Sequence, residues 1–457
     1  MMTRRRFLKL AGASAMLPAL GAASSKRPPN VVLVVIDDMG QRDLGCYGSD
    51  YYETPHIDAL AAQGARFTQF YAASPVCSPT RASILCGKYP ARLHMTYITT
   101  GVNPEDRPLL AAEHRRFLPF DEITLGEAFR DAGYATGCIG KWHLGETHDP
   151  ENHPKNHGFD FVRMHGPSTG DKFVSVFTDT ALEFIETNRD RPFFLYLPHH
   201  TVHVPFEARE ETIEKYRGKP PGASGQNHPV MAAMIEELDR GMGRLLAGLD
   251  RLGLAEETIV VFTSDNGGLR WVRDDDTGEI VTATNNAPLR AGKAQLYEGG
   301  TRVPFIVRWP GRIEGGREVA ALGITADIYP SLFGLAGLPL QPDPQRDGID
   351  ILSPIADGSD AAVSGSERDA LFWHFPHYHA STKPCGAVRR GDMKLIEHYE
   401  DGTLELYDLA EDVGETHDLA SERPELAREL RALLHRHLEE VGAQMPTPNP
   451  AFTQSGV

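Results

Sequence analysis

Short runs of apolar and β-branched residues recur along the chain, each bounded by turn residues and separated from the next by amphipathic segments. The clearest runs predict strands at residues 31–36, 134–139, 193–197 and 258–263, with a later strand at 305–309. Strands that are apolar along their whole length are buried on both faces. The pattern therefore predicts an α/β fold, with a large and mainly parallel sheet sandwiched by helices.

Helix signals support this interpretation. Thr54 is a suitable N-cap, Pro55 stands at the first turn, and Gly64 follows the expected end of the helix. Two further amphipathic segments, at 123–132 and 229–249, predict helices between the strands.

A smaller unit follows the last part of the predicted sheet. Residues 353–369 are rich in Ser, Gly, Asp and Ala, which is typical of a linker. We expect a large catalytic domain at 26–360 and a smaller α+β domain at 361–457. The smaller domain has short antiparallel strands and one terminal helix, near residues 371–375, 386–390, 394–398, 404–407 and 424–441.

Composition limits the classes of function. The 457 residues are 41% hydrophobic and 24% charged, which is enough for one large domain and an appended one. Sixty-three acidic against 46 basic residues give a net charge of −17, and this balance argues against a nucleic-acid partner. It does not exclude an anionic substrate, because a few positioned basic residues can dominate the field inside a cleft.

The first 25 residues have the anatomy of a signal peptide. Arg4 and Arg5 precede Phe7, an apolar stretch covers 10–20, and small residues cover 21–25. This pattern is similar to the bacterial twin-arginine signal, and a basic amphipathic tail is the alternative. We therefore expect the twin-arginine export machinery as a partner and a periplasmic or extracellular location. The stretch is too short to span a bilayer, so no stable membrane association is expected.

The cysteines do not form a recognisable scaffold. Their number is odd and their spacing is too scattered for a disulfide framework or a zinc knuckle: Cys46, Cys77, Cys86, Cys138 and Cys385. In an exported protein, the leftover thiol requires a chemical explanation.

Polar side chains follow each of the four strongest strands. These groups lie at residues 37–38, 141–143, 199–203 and 265–266. Ligand sites of open α/β sheets lie beyond the carboxyl ends of the strands, so a single polar site is the economical interpretation. For any one pair, a turn or a helix cap remains the alternative.

Asp37, Asp38, Asp265 and Asn266 offer only oxygen ligands, which suit a hard cation such as Ca²⁺ or Mg²⁺. Calcium is favoured because its looser geometry tolerates adjacent carboxylates on a short turn. Two adjacent aspartates would also repel each other unless a cation lay between them.

The segment Cys77-Ser78-Pro79-Thr80-Arg81 is the most specific motif in the chain. It resembles the Cys-x-Pro-x-Arg signature of sulfatases, the formylglycine-dependent type I enzymes of the alkaline phosphatase superfamily. One departure is Cys86 in Leu85-Cys86-Gly87, where the family usually has threonine. The resemblance extends over nearly the whole mature chain, through residues 31–39, 140–145, 263–267, 293, 297–304 and 405–409.

The resemblance implies an alkaline phosphatase-like fold and hydrolysis of sulfate monoesters. It also implies that a formylglycine-generating enzyme oxidises Cys77, and that this side chain joins Asp37, Asp38, Asp265 and Asn266 around calcium. A hydrated formylglycine is a geminal diol, in which one hydroxyl attacks sulfur and the other later expels sulfate. Pro79 in the first turn predicts that residue 77 begins a helix, whose N-terminus favours an anion.

By the same resemblance, Arg81 stabilises the diol, and Lys141 and Lys293 hold the sulfate oxygens. Ser168 aligns by spacing alone with a serine that contacts sulfate. For Lys293, a solvated position in a loop is the alternative.

Three residues are expected to move protons. Asp265 activates the attacking hydroxyl, and His203, in a His-x-Pro element, protonates the leaving alcohol. His143 takes the second diol proton, although a role as a packing histidine is the alternative. His199 and His200 do not match the family, so we interpret them as structural.

The segment 373–379 suggests the substrate. Trp373, His374 and His377 suit stacking on a sugar and hydrogen bonding to its hydroxyls, although core packing is an alternative. We therefore expect a sulfated carbohydrate from a polysaccharide. Two other functions remain open: a phosphate or phosphonate ester hydrolase on the same scaffold, and a non-catalytic carbohydrate-binding protein in which Cys77 is unmodified.

Overall fold

The structure is a computed structural model that describes residues 27–145, 149–167, 169–273, 278–340, 342–358 and 368–452. The predicted signal peptide and much of the predicted linker lie outside these ranges. None of the helices described is both long enough and apolar enough to cross a lipid bilayer.

Strands and helices are interspersed along the described residues, with runs of consecutive strands that begin at residues 258, 305 and 370. The strands are β1 (Asn30–Ile36), β2 (Ala65–Phe67), β3 (Phe70–Tyr71), β4 (Leu109–Leu110), β5 (Ala135–Ile139), β6 (Phe161–Arg163), β7 (Phe193–Pro198), β8 (Thr258–Ser264), β9 (Trp271–Arg273), β10 (Ile280–Thr282), β11 (Phe305–Arg308), β12 (Arg317–Val319), β13 (Gly323–Ile324), β14 (Ala370–Phe375), β15 (Cys385–Arg390), β16 (Met393–His398), β17 (Leu404–Asp408) and β18 (Thr447–Pro448). The α-helices are α1 (Pro55–Ala62), α2 (Cys77–Cys86), α3 (Pro90–Leu93), α4 (Leu125–Asp131), α5 (Val174–Thr187), α6 (Glu210–Arg217), α7 (Pro229–Arg251), α8 (Glu298–Thr301), α9 (Ile328–Ala336), α10 (Ser353–Ala356) and α11 (Pro424–Glu440).

An eight-stranded sheet forms the centre, in the order β12-β2-β11-β8-β1-β7-β5-β6. β1 pairs in parallel with β7 and β8, and β5 pairs in parallel with β6 and β7. The predicted strand at 305–309 belongs to this sheet as β11 but runs antiparallel to β8. Phe305 pairs with Thr263, so the connecting segment returns the chain at the carboxyl end of β8 without crossing the sheet. The expectation of a mainly parallel sheet is confirmed.

β1 shows why the sheet is central. Every residue of β1 is buried, and alternate side chains enter different hydrophobic clusters on the two faces. Val31, Leu33 and Val35 pack with α2, α4 and α9, whereas the other alternate set packs with α1, α5 and α7. A strand that is apolar throughout is thereby covered by helices on both sides.

The C-terminal sheet is antiparallel, in the order β14-β15-β16-β17. One face packs against apolar residues of α11, including Leu430 and Leu434. The other face places Trp373 in a cluster with Tyr71 and Val76, just before α2. The predicted linker is helical at α10, and residues 359–367 lie outside the described part. The C-terminal sheet therefore shares a hydrophobic core with the segment that leads to residue 77.

A buried charge network joins this sheet to the loop that carries Lys293. Lys394 Nζ lies 2.9 Å from Glu298 Oε1 and 2.9 Å from Glu415 Oε1, and all three side chains are fully buried. Tyr71 donates a hydrogen bond of 2.7 Å to Glu298 Oε2. Glu298 begins α8, five residues after Lys293.

Replacing Lys394 with methionine should destabilise the protein by about 3–5 kcal/mol, because Glu415 would lose its counter-charge and Glu298 would keep only its longer ion pair with Arg302. The matched control is Arg390→Met on the neighbouring strand β15, which breaks an exposed pair with Glu429. That change should alter the free energy of unfolding by at most about 1 kcal/mol. Urea unfolding measures both values, and equal losses in the two variants would contradict the prediction.

Candidate active site

Backbone hydrogen bonds continue the central sheet beyond the strand ends and fix the residues that follow them. The amide of Asp265 donates to Ile36 O at 3.0 Å, and the amide of Lys141 donates to Pro198 O at 2.7 Å. Asp37 directly follows Ile36. The carboxyl ends of β1, β5, β7 and β8 thus hold their polar side chains in one small region, as expected for an α/β sheet.

Residue 77 lies at the N-terminus of α2, as Pro79 predicted, and the whole helix is buried. Ligand atoms of Asp37, Cys77 and Asp265 lie within 4.8 Å of one another. Cys77 Sγ is 3.2 Å from His143 Nδ1. Free N–H groups and the helix dipole at this end favour negative charge next to position 77.

Each of three buried carboxylates pairs with a different basic side chain. Lys141 Nζ lies 2.5 Å from Asp37 Oδ2, Lys293 Nζ lies 2.7 Å from Asp38 Oδ2, and Arg81 Nε donates to Asp265 Oδ2 at 2.8 Å. All three basic side chains are themselves almost completely buried. The site therefore contains many charged groups, and each of these carboxylates is balanced by a basic side chain next to it.

The surroundings separate the acidities of these carboxyl groups. Burial alone would raise the pKa of Asp37, but the positive charge of Lys141 holds that pKa well below its usual range. Lys293 lowers the pKa of Asp38 in the same way. Burial raises the pKa of Asp265 well above its usual range, despite the pairing with Arg81. The shift of the Asp265 pKa is therefore opposite in direction to the shifts of the Asp37 and Asp38 pKa values.

The two histidines of the site differ in environment. Burial, helped by the charge of Lys141, lowers the pKa of His143 to about 3, so its imidazole is neutral at physiological pH. His203 is half-buried, and its Nδ1 donates to Val204 O at 2.6 Å. This bond directs Nε2 toward the carboxylates, where it lies 3.8 Å from Asp38 Oδ2.

The oxygen atoms fit a hard cation. Among the described residues, the buried atoms Asp37 Oδ1 and Asn266 Oδ1 have no hydrogen-bond partner. The amide nitrogen of Asn266 donates to Asp38 Oδ1 at 2.9 Å, which holds these side chains together. Unpaired buried oxygens are costly, and coordination to Ca²⁺ or a similar ion would satisfy them. Asp37, Asp38, Asp265, Asn266 and the side chain at 77 are the residues that could hold such an ion.

Several residues of the site have a strained backbone. Asp38 has φ of 64° and His143 has φ of 54°, and Ala291 and Ala294, on either side of Lys293, have φ of 65° and 70°. Such left-handed conformations in residues other than glycine cost roughly 1–3 kcal/mol each and are concentrated at functional sites. The sequence carries no signal for this strain.

The expected sugar-binding residues require a correction. Trp373 is 1% exposed and donates from Nε1 to Ala72 O, and His377 is 0% exposed and lies 2.8 Å from Thr96 Oγ1. His374 has both ring nitrogens within hydrogen-bond distance of protein groups. Core packing therefore accounts for these three side chains, because no ring face is left for a sugar. Ser168 lies outside the described residues.

The structure shows a cleft that the sequence analysis missed. It has a volume of about 910 Å³ and its walls come mainly from residues 97–108 and 378–383. His379 is one of its lining residues, only two positions beyond the buried His377. In an extended segment, residues two apart share a face, so alternation would place His379 on the same face as His377. The chain turns after β14, and this rule therefore does not apply to the two histidines.

Most of the chain is similar to known proteins, both in sequence and in structure. Residues 29–338 match the family model described as Sulfatase, and residues 291–444 match the one described as N-sulphoglucosamine sulphohydrolase, C-terminal. The chain is 35% identical over 380 residues to N-acetylgalactosamine-6-sulfatase of Canis lupus familiaris, across 74% of this chain and 68% of that protein. It is 32% identical over 489 residues to arylsulfatase A of Homo sapiens, across 92% of this chain and 90% of that protein. The crystal structure of Ps i-CgsB in complex with k-i-k-neocarrahexaose has a TM-score of 0.75 at 24% identity and covers 94% of this chain and 95% of that one.

Cation binding can be tested by thermal unfolding. Adding Ca²⁺ to metal-stripped protein should raise the Tm, because a ligand at a hundred times its Kd stabilises the folded state by about 2.7 kcal/mol. Asp38→Asn should lose most of this increase, because a charged ligand is removed. The matched control Asp401→Asn, on an exposed turn, should retain it. An equal increase in both variants would place the cation elsewhere.

Proposed function

The chain belongs to the sulfatase family and is a sulfuric ester hydrolase with an alkaline phosphatase-like fold, and from this premise we propose that it hydrolyses carbohydrate sulfates through a formylglycine at position 77 and a bound calcium ion. The observation that carries the proposal is the position of Cys77. It stands at a helix N-terminus, against Asp37, Asp265 and His143. Cys77 forms no disulfide, since all five cysteines are free.

The two groups would supply what the protein side chains lack. A hydrated aldehyde at position 77 provides a nucleophilic hydroxyl, and calcium provides a Lewis acid for the sulfuryl oxygens. Lys141 and Lys293 neutralise the carboxylates in this arrangement, and their ammonium groups lie close enough to the site to bind an anionic sulfate. Arg81 fixes the orientation of Asp265.

Three residues would handle protons. Asp265, a ligand atom of which lies within 4.8 Å of the side chain at position 77, would accept the proton of the attacking hydroxyl. His203 uses its Nε2 to protonate the leaving oxygen, because its Nδ1 is held by Val204 O. His143, neutral and next to position 77, accepts the proton released when sulfate departs.

Sugar sulfates are the proposed substrates. The relative N-acetylgalactosamine-6-sulfatase is named for a sugar sulfate, and Ps i-CgsB was solved with a neocarrahexaose. The cleft has room for a saccharide. An aryl sulfate and an aryl phosphonate assayed side by side would separate this function from the phosphonate hydrolase alternative.

We also propose that the protein is exported to the periplasm or beyond. The arginine pair at 4–5 and the apolar stretch at 10–20 support the twin-arginine route. A formylglycine-generating enzyme would then be needed before export, acting on the Cys77 motif.

Peptide mass across residue 77 tests the nucleophile. Conversion of the thiol to an aldehyde lowers the mass of this peptide, and Cys77→Ala should reduce turnover to the uncatalysed background while the protein stays folded. The control Cys46→Ala removes a half-buried thiol that packs on the α1, α5 and α7 side of the sheet, opposite the side on which α2 packs, and should retain activity. An unchanged thiol in fully active protein would contradict the proposal.

His203→Ala tests the general acid. A sugar alkoxide needs protonation as it leaves, so kcat for a sugar sulfate should fall about 10²–10⁴-fold. A nitrophenolate is a far better leaving group, so turnover of 4-nitrophenyl sulfate should fall much less. Equal losses with both substrates would assign His203 a role other than protonation of the leaving group.

A further inference from the structure

Hydrogen bonds tie the two walls of the cleft of about 910 Å³ to the segments that carry Cys77 and Lys293. On one wall, next to Tyr97, the amide of Thr99 donates to Ser78 Oγ at 3.4 Å. On the other wall, Gln295 Nε2 donates to Ser381 O at 3.1 Å, two residues after Lys293. His379, which lines the cleft, is also close enough to Lys293 and Asp38 for their charges to act on its ring, so this end of the cleft, the inner end, lies toward the carboxylate site.

His379 stands at this inner end. Its backbone is fixed by reciprocal hydrogen bonds with Thr382 of 3.0 and 3.1 Å. Its buried Nδ1 has no hydrogen-bond partner within the described ranges of the chain. Burial and the nearby charge of Lys293 lower the pKa of His379, so the ring is neutral. A neutral imidazole offers one donor and one acceptor, which matches a sugar hydroxyl.

Charge is distributed unevenly along the cleft. At the inner end, the cation near His379 is Lys293. In the outer part, Lys383 forms an ion pair with Glu400, and Arg107 Nε lies 3.6 Å from Asp106 Oδ1. Each outer cation is thus matched by an acidic partner. An anionic sugar there would gain little attraction, and the net charge of −17 would oppose it.

We propose that the cleft binds a saccharide of at least two sugars, in which the sulfated sugar hydrogen-bonds to His379 and the neighbouring sugar in the outer part is uncharged. This inference rests on the proposed function, because the sulfated sugar is positioned by the site at residue 77. The volume lies near the upper end of the range of about 300–1,000 Å³ for pockets that hold small ligands, so a second ring fits. His379 acts here as a specificity residue and takes no part in bond cleavage.

The experiment compares kcat/KM for three substrates: 4-nitrophenyl sulfate, a sulfated hexosamine linked to a neutral hexose, and the same sulfated sugar linked to a uronic acid. The wild-type enzyme should prefer the neutral disaccharide over the uronate by about tenfold or more at low salt. His379→Ala should lower kcat/KM for the neutral disaccharide about ten- to a hundredfold more than for the aryl sulfate, which has no sugar hydroxyl. His379→Gln should recover part of this loss. His417→Ala, an exposed histidine paired with Glu422, is the control and should behave as wild type.

Equal losses on all three substrates in His379→Ala, or a wild-type preference for the uronate, would overturn the inference. Binding of the unsulfated neutral disaccharide, measured by calorimetry with Cys77→Ala and with the double variant Cys77→Ala/His379→Ala, tests the cleft without any turnover. A clear difference in Kd between the two variants supports the inference about the cleft, whether or not the enzyme hydrolyses the aryl sulfate. Failure to hydrolyse the aryl sulfate would contradict only the proposed function. Identical affinities would contradict the inference about His379.

Discussion

The site depends on charge compensation between buried carboxylates and buried cations. Asp37, Asp38 and Asp265 lie at strand ends with no exposure to water, and an uncompensated carboxylate there would be strongly destabilising. Their partners Lys141, Lys293 and Arg81 come from three different segments. Those segments must therefore be in place together for the sheet edge to be stable. In the proposed function, two of these cations, Lys141 and Lys293, would also bind the sulfate group, so stability and substrate binding would share side chains.

Much of this arrangement could be predicted from the sequence, because the governing patterns are local. Continuous apolar runs identified five of the eight strands of the central sheet to within one residue at each end, whereas the three-residue strands β2, β6 and β12 were not predicted. The helices predicted at 123–132 and 229–249 are confirmed as α4 and α7, with ends shifted by at most two residues. The convergence of residues after the strands follows from parallel pairing, since neighbouring carboxyl ends meet at one edge. Asp37 and Asp265 are close for this reason, without any need for a family resemblance.

Other features of the fold and the site depend on tertiary contacts, and the sequence did not predict them. An aromatic and histidine-rich segment is equally compatible with a core and with a binding face, and packing against Tyr71 decided that Trp373 is buried. The direction of β11 depends on where the long connection from β8 returns the chain, which no residue pattern encodes. The positive φ angles of Asp38 and His143 are likewise imposed by the surrounding structure, because neither residue type requires them.

The buried network of Lys394, Glu298 and Glu415 has a consequence for how this architecture can be recombined. The C-terminal sheet supplies Lys394, whereas Glu298 comes from the segment that carries Lys293, so neither segment can be exchanged without the other. The C-terminal family match begins at residue 291, ahead of this loop and well before the first strand of the small sheet. A chimaera between relatives should therefore have its junction upstream of residue 291. A junction at the start of the small sheet would combine Lys394 of one relative with the residue at position 298 of another. Any mismatch in this buried pair would disturb the segment that carries Lys293.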